Sequence, residues 1–415
     1  MSELAFAPLA HFADVVMGQS PGADLCNTDE RGLPFLQGCA EFGARHPHSD
    51  IYCSPPLRVA KAGSVLISVR APVGTMNYAD QDYCIGRGLG AFKAKSGVSN
   101  TVFLKHAVEL NAAYLHRRSQ GSTFAAVSID DVKTVPIPVF KSEKQEKIAN
   151  ILTGIDSAIE KTDALIAKYQ QIKAGLMHDL FTRGVLPNGQ LRPPREQAPE
   201  LYQETAFGWI PREWQYELLD KLALRGSGHT PNKNFPEYWN GGIKWVSLAD
   251  SHRLDQLYIS DTEFQISHKG IQNSSAVLHP AGIVVLSRDA GVGKSAITTE
   301  PMAVSQHFMC WKCDQKIDNH FLYYWLQFNK RTFENIAMGS TILTIGLPYF
   351  KKMKIACPVD LVEQRKIAAK MKANDTRLFT LQDELSKLKQ QKAGLMHDLL
   401  TGKVAVKFAD ATLAV

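Results

Sequence analysis

The chain lacks any run of eighteen apolar residues, so no segment of membrane-spanning helical length is present. Its first residues, MSELAFAPLA, carry no basic region and do not read as a secretory signal. Seven scattered cysteines, an odd number, make no disulfide framework and point to a reducing, cytoplasmic setting. Cys310 and Cys313 form one C-x-x-C, but no second ligand pair follows at zinc spacing, so they read as packed residues.

Catalytic signatures are missing too. In GVGKS (Gly291–Ser295) the leading glycine of a phosphate-binding loop is replaced by Arg288, and no helix pattern follows. SPPL (Ser54–Leu57) has Leu57 where an amino-methyltransferase motif carries the aromatic that stacks on a flipped base, and it reads as a turn. The glycines of IGRGLGAF (Gly86, Gly88, Gly90) lack a following phosphate-binding helix and read as a loop or bulge. There is no H-E-x-x-H, no nucleophile elbow and no carboxylate–lysine nuclease cluster. These absences argue against a free-standing methyltransferase or nuclease.

Proline is missing from two long stretches, between Val139 and Leu186 and from Val359 to the C-terminus. Each holds one copy of KAGLMHDL, at Lys173–Leu180 and Lys392–Leu399, 219 residues apart. Apolar residues step by four and three in both: Ile148, Leu152, Ile155, Ile159, Ile166, Tyr169, Leu176, Leu180, and Ile367, Met371, Leu378, Leu381, Leu385, Leu388, Leu395, Leu399. That is a coiled-coil seam, in the same register in both copies. Thr162 and Lys173 interrupt one copy, Asn374 and Lys392 the other. A helix over 148–180 spans roughly 50 Å and cannot bury such a stripe alone. The other copy is the matching partner, in an antiparallel pair; the alternative is two independent core helices. His178 and His397, near the helix ends, suit terminal carbonyls better than catalysis.

The globular parts repeat a skeleton. GQSP (Gly18–Pro21) recurs as GHTP (Gly228–Pro231), AGSVLISVR (Ala62–Arg70) as AGIVVLSR (Ala281–Arg288), and GST at Gly121–Thr123 as Gly339–Thr341. EKQEKIA (Glu143–Ala149) recurs as EQRKIA (Glu363–Ala368). SVLISVR reads as a strand and Asn111–Arg118 as a helix. The expected fold is α+β: two similar mixed α/β domains joined by two long helices packed as an antiparallel coiled coil, with a pseudo-two-fold axis. The expected divisions are 1–140 and 208–357 for the domains, 141–185 and 358–405 for the helices. The proline-rich linker 186–207 reads as an extended tether, and 406–415 as a tail. A shared skeleton with differing surfaces suits a duplex read at two sites. Net charge is +6 with a pI near 8.8, compatible with a polyanion.

Contacts to DNA need donors for phosphates and side chains for base edges. The candidates are Gln19 and Ser20 with their counterparts His229 and Thr230; Ser122 and Thr123 with Ser340 and Thr341; Arg70 and Arg288 at matching strand ends; and Lys233, Lys244, Arg87 and Gln37. Turn chemistry and surface ion pairs are the plainer reading of the same residues. Tyr238, Trp239 and Trp245 read as core aromatics.

On these residues, with PEYWNGGIKWV (Pro236–Val246) and the order and spacing of the repeats, the whole chain resembles the DNA-specificity subunit of a type I restriction–modification system. The first domain departs from the pattern, having no counterpart to Tyr238-Trp239. The resemblance implies two target-recognition domains that each read half of a split DNA sequence, with the helices setting the spacer. It implies a non-catalytic chain without cofactor. It also implies two methyltransferase subunits that use S-adenosylmethionine on adenine, and motor–nuclease subunits that use ATP and Mg. A coiled-coil scaffold whose globular ends bind proteins is the rival reading; it would show no steep loss of duplex affinity with salt.

Overall fold

Each proline-free stretch forms one uninterrupted helix in the computed structural model, Ser142–Thr182 and Leu361–Leu400. The structure describes residues 4–119, 126–206, 208–339 and 343–406. The chain divides into two units, Met1–Ile166 with Leu381–Val415, and Ala167–Thr380. The division therefore cuts across both helices, and each unit owns half of each.

In the first unit the helix halves run antiparallel. Ile148 and Leu152 share a buried cluster with Met396, Leu399 and Leu400, and further along Asp156 meets Lys392 at 2.9 Å. The second unit repeats this. Leu180 and Phe181 share a cluster with Ile367 and Met371, and Lys173 meets Asp375 at 2.6 Å. The lysine that breaks each apolar seam thus pairs with the equivalent aspartate of the facing helix. Thr162 and Asn374, the other breaks, are each buried as well.

The sheets match in register. In the first unit a four-stranded sheet has the order Ala13–Met17, Leu89–Ala94, Val65–Ser68, Met76–Tyr78. In the second, Ala223–Ser227, Phe308–Cys313, Val284–Ser287 and Ser295–Thr298 take the same order, with Tyr258–Ile259 added at the edge. Met17 pairs with Gly90 and Ser227 with Met309; Val65 pairs with Phe92 and Val284 with Trp311. Both central strands are buried throughout, as unbroken runs of Val, Leu and Ile require. A second sheet in each unit holds one parallel pair: Leu33–Leu36 beside Tyr83–Ile85, and Trp239–Val246 beside Met302–Val304.

The repeated glutamine explains how each long helix is tied to its unit. Gln145 is 1% exposed; its Oε1 accepts from Ser99 Oγ at 2.6 Å and its Nε2 donates to the Phe140 carbonyl. Gln364 is fully buried; its Oε1 accepts from the Asp318 amide at 2.9 Å and its Nε2 donates to the Pro358 carbonyl. Asn100 and Asp318 in turn cap the helices Thr101–Leu110 and Asn319–Phe328.

The segment 186–207 is not an extended tether. Tyr202–Thr205 forms a hairpin with Gly208–Pro211, and Arg192, 3% exposed, is paired with Glu363 and Glu213. Glu363 also accepts from Trp214 Nε1 and the Val185 amide, so the segment is clamped into the second unit. Proline content signalled the absence of helix but could not reveal a buried ion pair formed across 171 residues.

Candidate nucleic-acid interface

In each unit the chain passes from one sheet to the other at a three-residue corner. In the first this is Gly86-Arg87-Gly88, between Tyr83–Ile85 and Leu89–Ala94. In the second it is Ser305-Gln306-His307, between Met302–Val304 and Phe308–Cys313. The GQSP or GHTP turn lies against that corner. The Gly18 amide donates to the Leu89 carbonyl and the Gln19 amide to the Ile85 carbonyl, both at 2.9 Å. A Cβ on Gly18 would fall 2.1 Å from the Gly86 oxygen, and one on Gly228 would fall 1.5 Å from the Val304 oxygen. Glycine therefore opens both turns because two backbones touch there.

Four sequence candidates meet at the first corner. Ser20 Oγ accepts from the Arg87 amide at 3.3 Å and from Gln37 Nε2 at 3.4 Å, with Gln19 one residue away. Gln37 leaves the end of Leu33–Leu36, the strand parallel to the one that enters the corner. Gln19, Gln37 and Arg87 are exposed. Among the described residues the Arg87 guanidinium has no partner, so its donors face solvent. The loop reading of Gly86, Gly88 and Gly90 holds for the first two: a Cβ on Gly88 would strike the Gln37 carbonyl at 2.5 Å. Gly90 lies in the strand.

At the second corner the side chains differ but the places are the same. Thr230 Oγ1 donates to Gln306 Oε1 at 2.5 Å. Gln306 Nε2 lies 3.3 Å from His307 Nε2, and His307 Nδ1 lies 2.7 Å from Asp289 Oδ2. The His229 carbonyl accepts from Trp245 Nε1 at 3.1 Å, while its side chain is exposed. Gln306 and His307 escaped the sequence reading. Their signal was present, since Gln306 stands 219 residues after Arg87, the offset of the helices.

The arginine pair needs correction. Val69 donates its amide to Gly88 and Arg288 to His307, while Ser68 Oγ bonds the Arg70 carbonyl as Ser287 Oγ bonds that of Asp289. The counterpart of Arg70 is therefore Asp289, and that of Arg288 is Val69. Arg70 is exposed. The Arg288 side chain is 17% exposed, its Nε 3.5 Å from Asp289 Oδ1. Lys244 is drawn to Glu300, Asp261 and the Ser260 carbonyl, and the Glu300 hydrogen bond raises its pKa. Lys233 is exposed in the loop after the GHTP turn. Ser122, Thr123, Ser340 and Thr341 lie outside the described residues.

The remaining motifs are structural. Lys294 of GVGKS donates to Ser251 at the turn into Ser295–Thr298, so it holds a loop rather than a phosphate. Trp245 is buried and meets Trp239 edge-on at 5.2 Å. Cys310 is buried and Cys313 half-buried; burial pushes both thiols up to about 12, where they are inert. No group of residues suited to hold a metal occurs among the described residues, and no described helix is long and apolar enough to cross a membrane.

Comparison with known proteins agrees with this architecture. The family model described as the type I restriction modification DNA specificity domain matches residues 57–169 and 211–390. The putative MjaX specificity subunit of Methanocaldococcus jannaschii is 35% identical over 168 residues, which is 40% of this chain and 40% of that one. The MjaVIII specificity subunit of the same organism is 25% identical over 323 residues, covering 75% of this chain and 72% of that one. The fold is that of the type I system S subunit from M. genitalium, with a TM-score of 0.62 at 14% identity over 96% of this chain and 97% of that one. The two matched regions fall one on each unit's globular part and continue into the long helices, so the chain belongs to the type I restriction–modification DNA-specificity family.

Proposed function

We propose that each unit reads one half of a split duplex sequence, and that the corner beside the GQSP or GHTP turn is where it does so. One observation carries the reading: the two corners share backbone position and register but present different side chains. Ser20, Gln37 and Arg87 stand at one; Thr230, Gln306 and His307 stand at the other. A binder of one repeated ligand would keep these residues alike. Meanwhile the lysine–aspartate pairs of the helices are the same in both units.

In this reading exposed Gln19, His229, Lys233 and Arg70 position the duplex through phosphates, and Arg87 and Gln37 reach base edges. The long helices fix the spacing between half-sites and carry two copies of a partner methyltransferase, which supplies S-adenosylmethionine chemistry on adenine. Motor–nuclease subunits complete the restriction assembly, and ATP and Mg belong to them. This chain supplies address rather than chemistry.

The test is duplex selection from a random pool by the complex of this chain with the methyltransferase, followed by titration in salt. A split motif is expected, with log affinity falling linearly with log salt concentration. Enrichment of a single unsplit site, or affinity indifferent to salt, contradicts the proposal.

A further inference from the structure

Residues 87 and 306 occupy the same place relative to strands of matching register. Each lies three residues before a register partner of the turn strand: Gly90 opposite Met17, and Met309 opposite Ser227. Both are exposed at the tip of the sheet-to-sheet corner. What differs is how each side chain is held.

Gln306 is fixed by a relay. The Asp289 carboxylate can only accept, so His307 Nδ1 donates to it at 2.7 Å. In the neutral ring this leaves His307 Nε2 as an acceptor, which takes one hydrogen of Gln306 Nε2 at 3.3 Å. On the other side Thr230 Oγ1 donates to Gln306 Oε1 at 2.5 Å. The His307 contact sets the orientation of the amide, since the flipped amide would turn its oxygen toward the His307 lone pair, and the Thr230 hydroxyl then donates to the oxygen so placed. The amide retains one free lone pair on oxygen and one free hydrogen on nitrogen. An adenine edge in the major groove offers the complement, an N6 donor beside an N7 acceptor. Arg87 has no such relay: only its amide is tied, to Ser20. Its guanidinium is a pair of donors, which suits the O6 and N7 acceptors of guanine.

We infer that positions 87 and 306 are corresponding base-reading positions, with Gln306 selecting adenine in the half-site of the second unit and Arg87 selecting guanine in the half-site of the first. Thr230, His307 and Asp289 are positioning residues for the Gln306 amide. This rests on the proposed function and assigns one base to one side chain in each half.

The test is the same duplex selection with four complexes: the wild-type chain, Gln306→Arg, Thr230→Val and Arg87→Gln. Gln306→Arg should change one A·T pair of one half-site to G·C, leave the other half untouched, and shift preference at that pair by roughly tenfold or more. Thr230→Val should relax discrimination at that same pair only, because the amide then loses the donor that fixes its oxygen. Arg87→Gln should lose the preference for G·C at one pair of the other half and leave the half-site of the second unit untouched. An unchanged motif with Gln306→Arg, or a uniform loss of affinity without a base change, overturns the inference while leaving split recognition standing. No split motif from the wild-type complex overturns both.

Discussion

Replacing Lys392 with methionine tests the helix pairing at its most heavily loaded contact. Its Nζ lies 2.8 Å from Glu109 and 2.9 Å from Asp156, with the lysine side chain 16% exposed. Methionine keeps most of the stem and removes only the charge. Glu109 then keeps Lys105 at 2.8 Å, but Asp156 keeps only Lys105 at 3.6 Å and His106 at 3.7 Å. Removing one member of a fully buried pair costs about 3–5 kcal/mol. The carboxylates here are 32% and 25% exposed and partly screened, so the expected loss is about 2 kcal/mol. That is roughly a thirtyfold rise in the local opening equilibrium. Lys173→Met at the equivalent place faces one carboxylate, Asp375, with 32% and 23% exposure, and should cost about 1 kcal/mol. Hydrogen exchange of amides in 148–156 and 392–400 reads the first change, and those in 169–180 and 367–375 the second. Adding Asp156→Asn to Lys392→Met should recover part of the loss, since no unpaired charge remains. Exchange rates in Lys392→Met within the spread of exposed-lysine variants would refute the reasoning.

Gly228→Ala should displace the GHTP turn, because its Cβ would meet the Val304 oxygen at 1.5 Å. DNA discrimination should fail in one half-site only, as motif selection would show. Gln364→Ala leaves the Asp318 amide and the Pro358 carbonyl without their partner and should cost about 2–3 kcal/mol, seen as a lower urea midpoint. Acid should loosen the first unit. Burial holds His106 below its ordinary 6.5, and although burial raises Glu109, the contacts with His106, Lys105 and Lys392 hold it well below 4.5. Both shifts stabilise the fold at neutral pH. The His106 part is lost as pH falls below 6.5 and the Glu109 part as it falls below 4.5, readable by circular dichroism across that window. Inserting one heptad in both long helices adds ~10 Å of helix and should lengthen the spacer by about three base pairs; methylation at the unaltered spacing would count against the helices as its determinant.

Much of the architecture was legible because it is written twice. The offset of KAGLMHDL placed Ile148 opposite the same seam position as Ile367, and the antiparallel pairing followed from needing a partner of equal register. The structure adds why the seam is broken: Lys173 and Lys392 each answer an aspartate on the facing helix. Repeat spacing also located the GQSP and GHTP turns, which press glycine onto the neighbouring strand. It failed at Arg70 and Arg288, where similar letters sit one residue out of register. The amide bonds of Val69 and Arg288 and the hydroxyl bonds of Ser68 and Ser287, rather than residue likeness, fix that register and align Arg70 with Asp289. Gln306 and His307 carry no motif of their own, and only their 219-residue offset from Arg87 and Gly88 marks them in the sequence; the relay through Thr230 and Asp289 is visible in the structure alone. The clamp of Arg192 on Glu363 was hidden for the same reason, being long-range and between residue types ordinarily exposed.

Base-resolution methylation mapping tests most directly the claim that each unit addresses its own half-site. DNA would be compared from cells carrying the wild-type chain with its methyltransferase, and from cells in which residues 1–140 are exchanged for those of a relative of different specificity. The account predicts a split motif with modified adenine in each half, of which the exchange rewrites one half and leaves the other half and the spacer intact. A motif rewritten in both halves, or methylation indifferent to this chain, would contradict it.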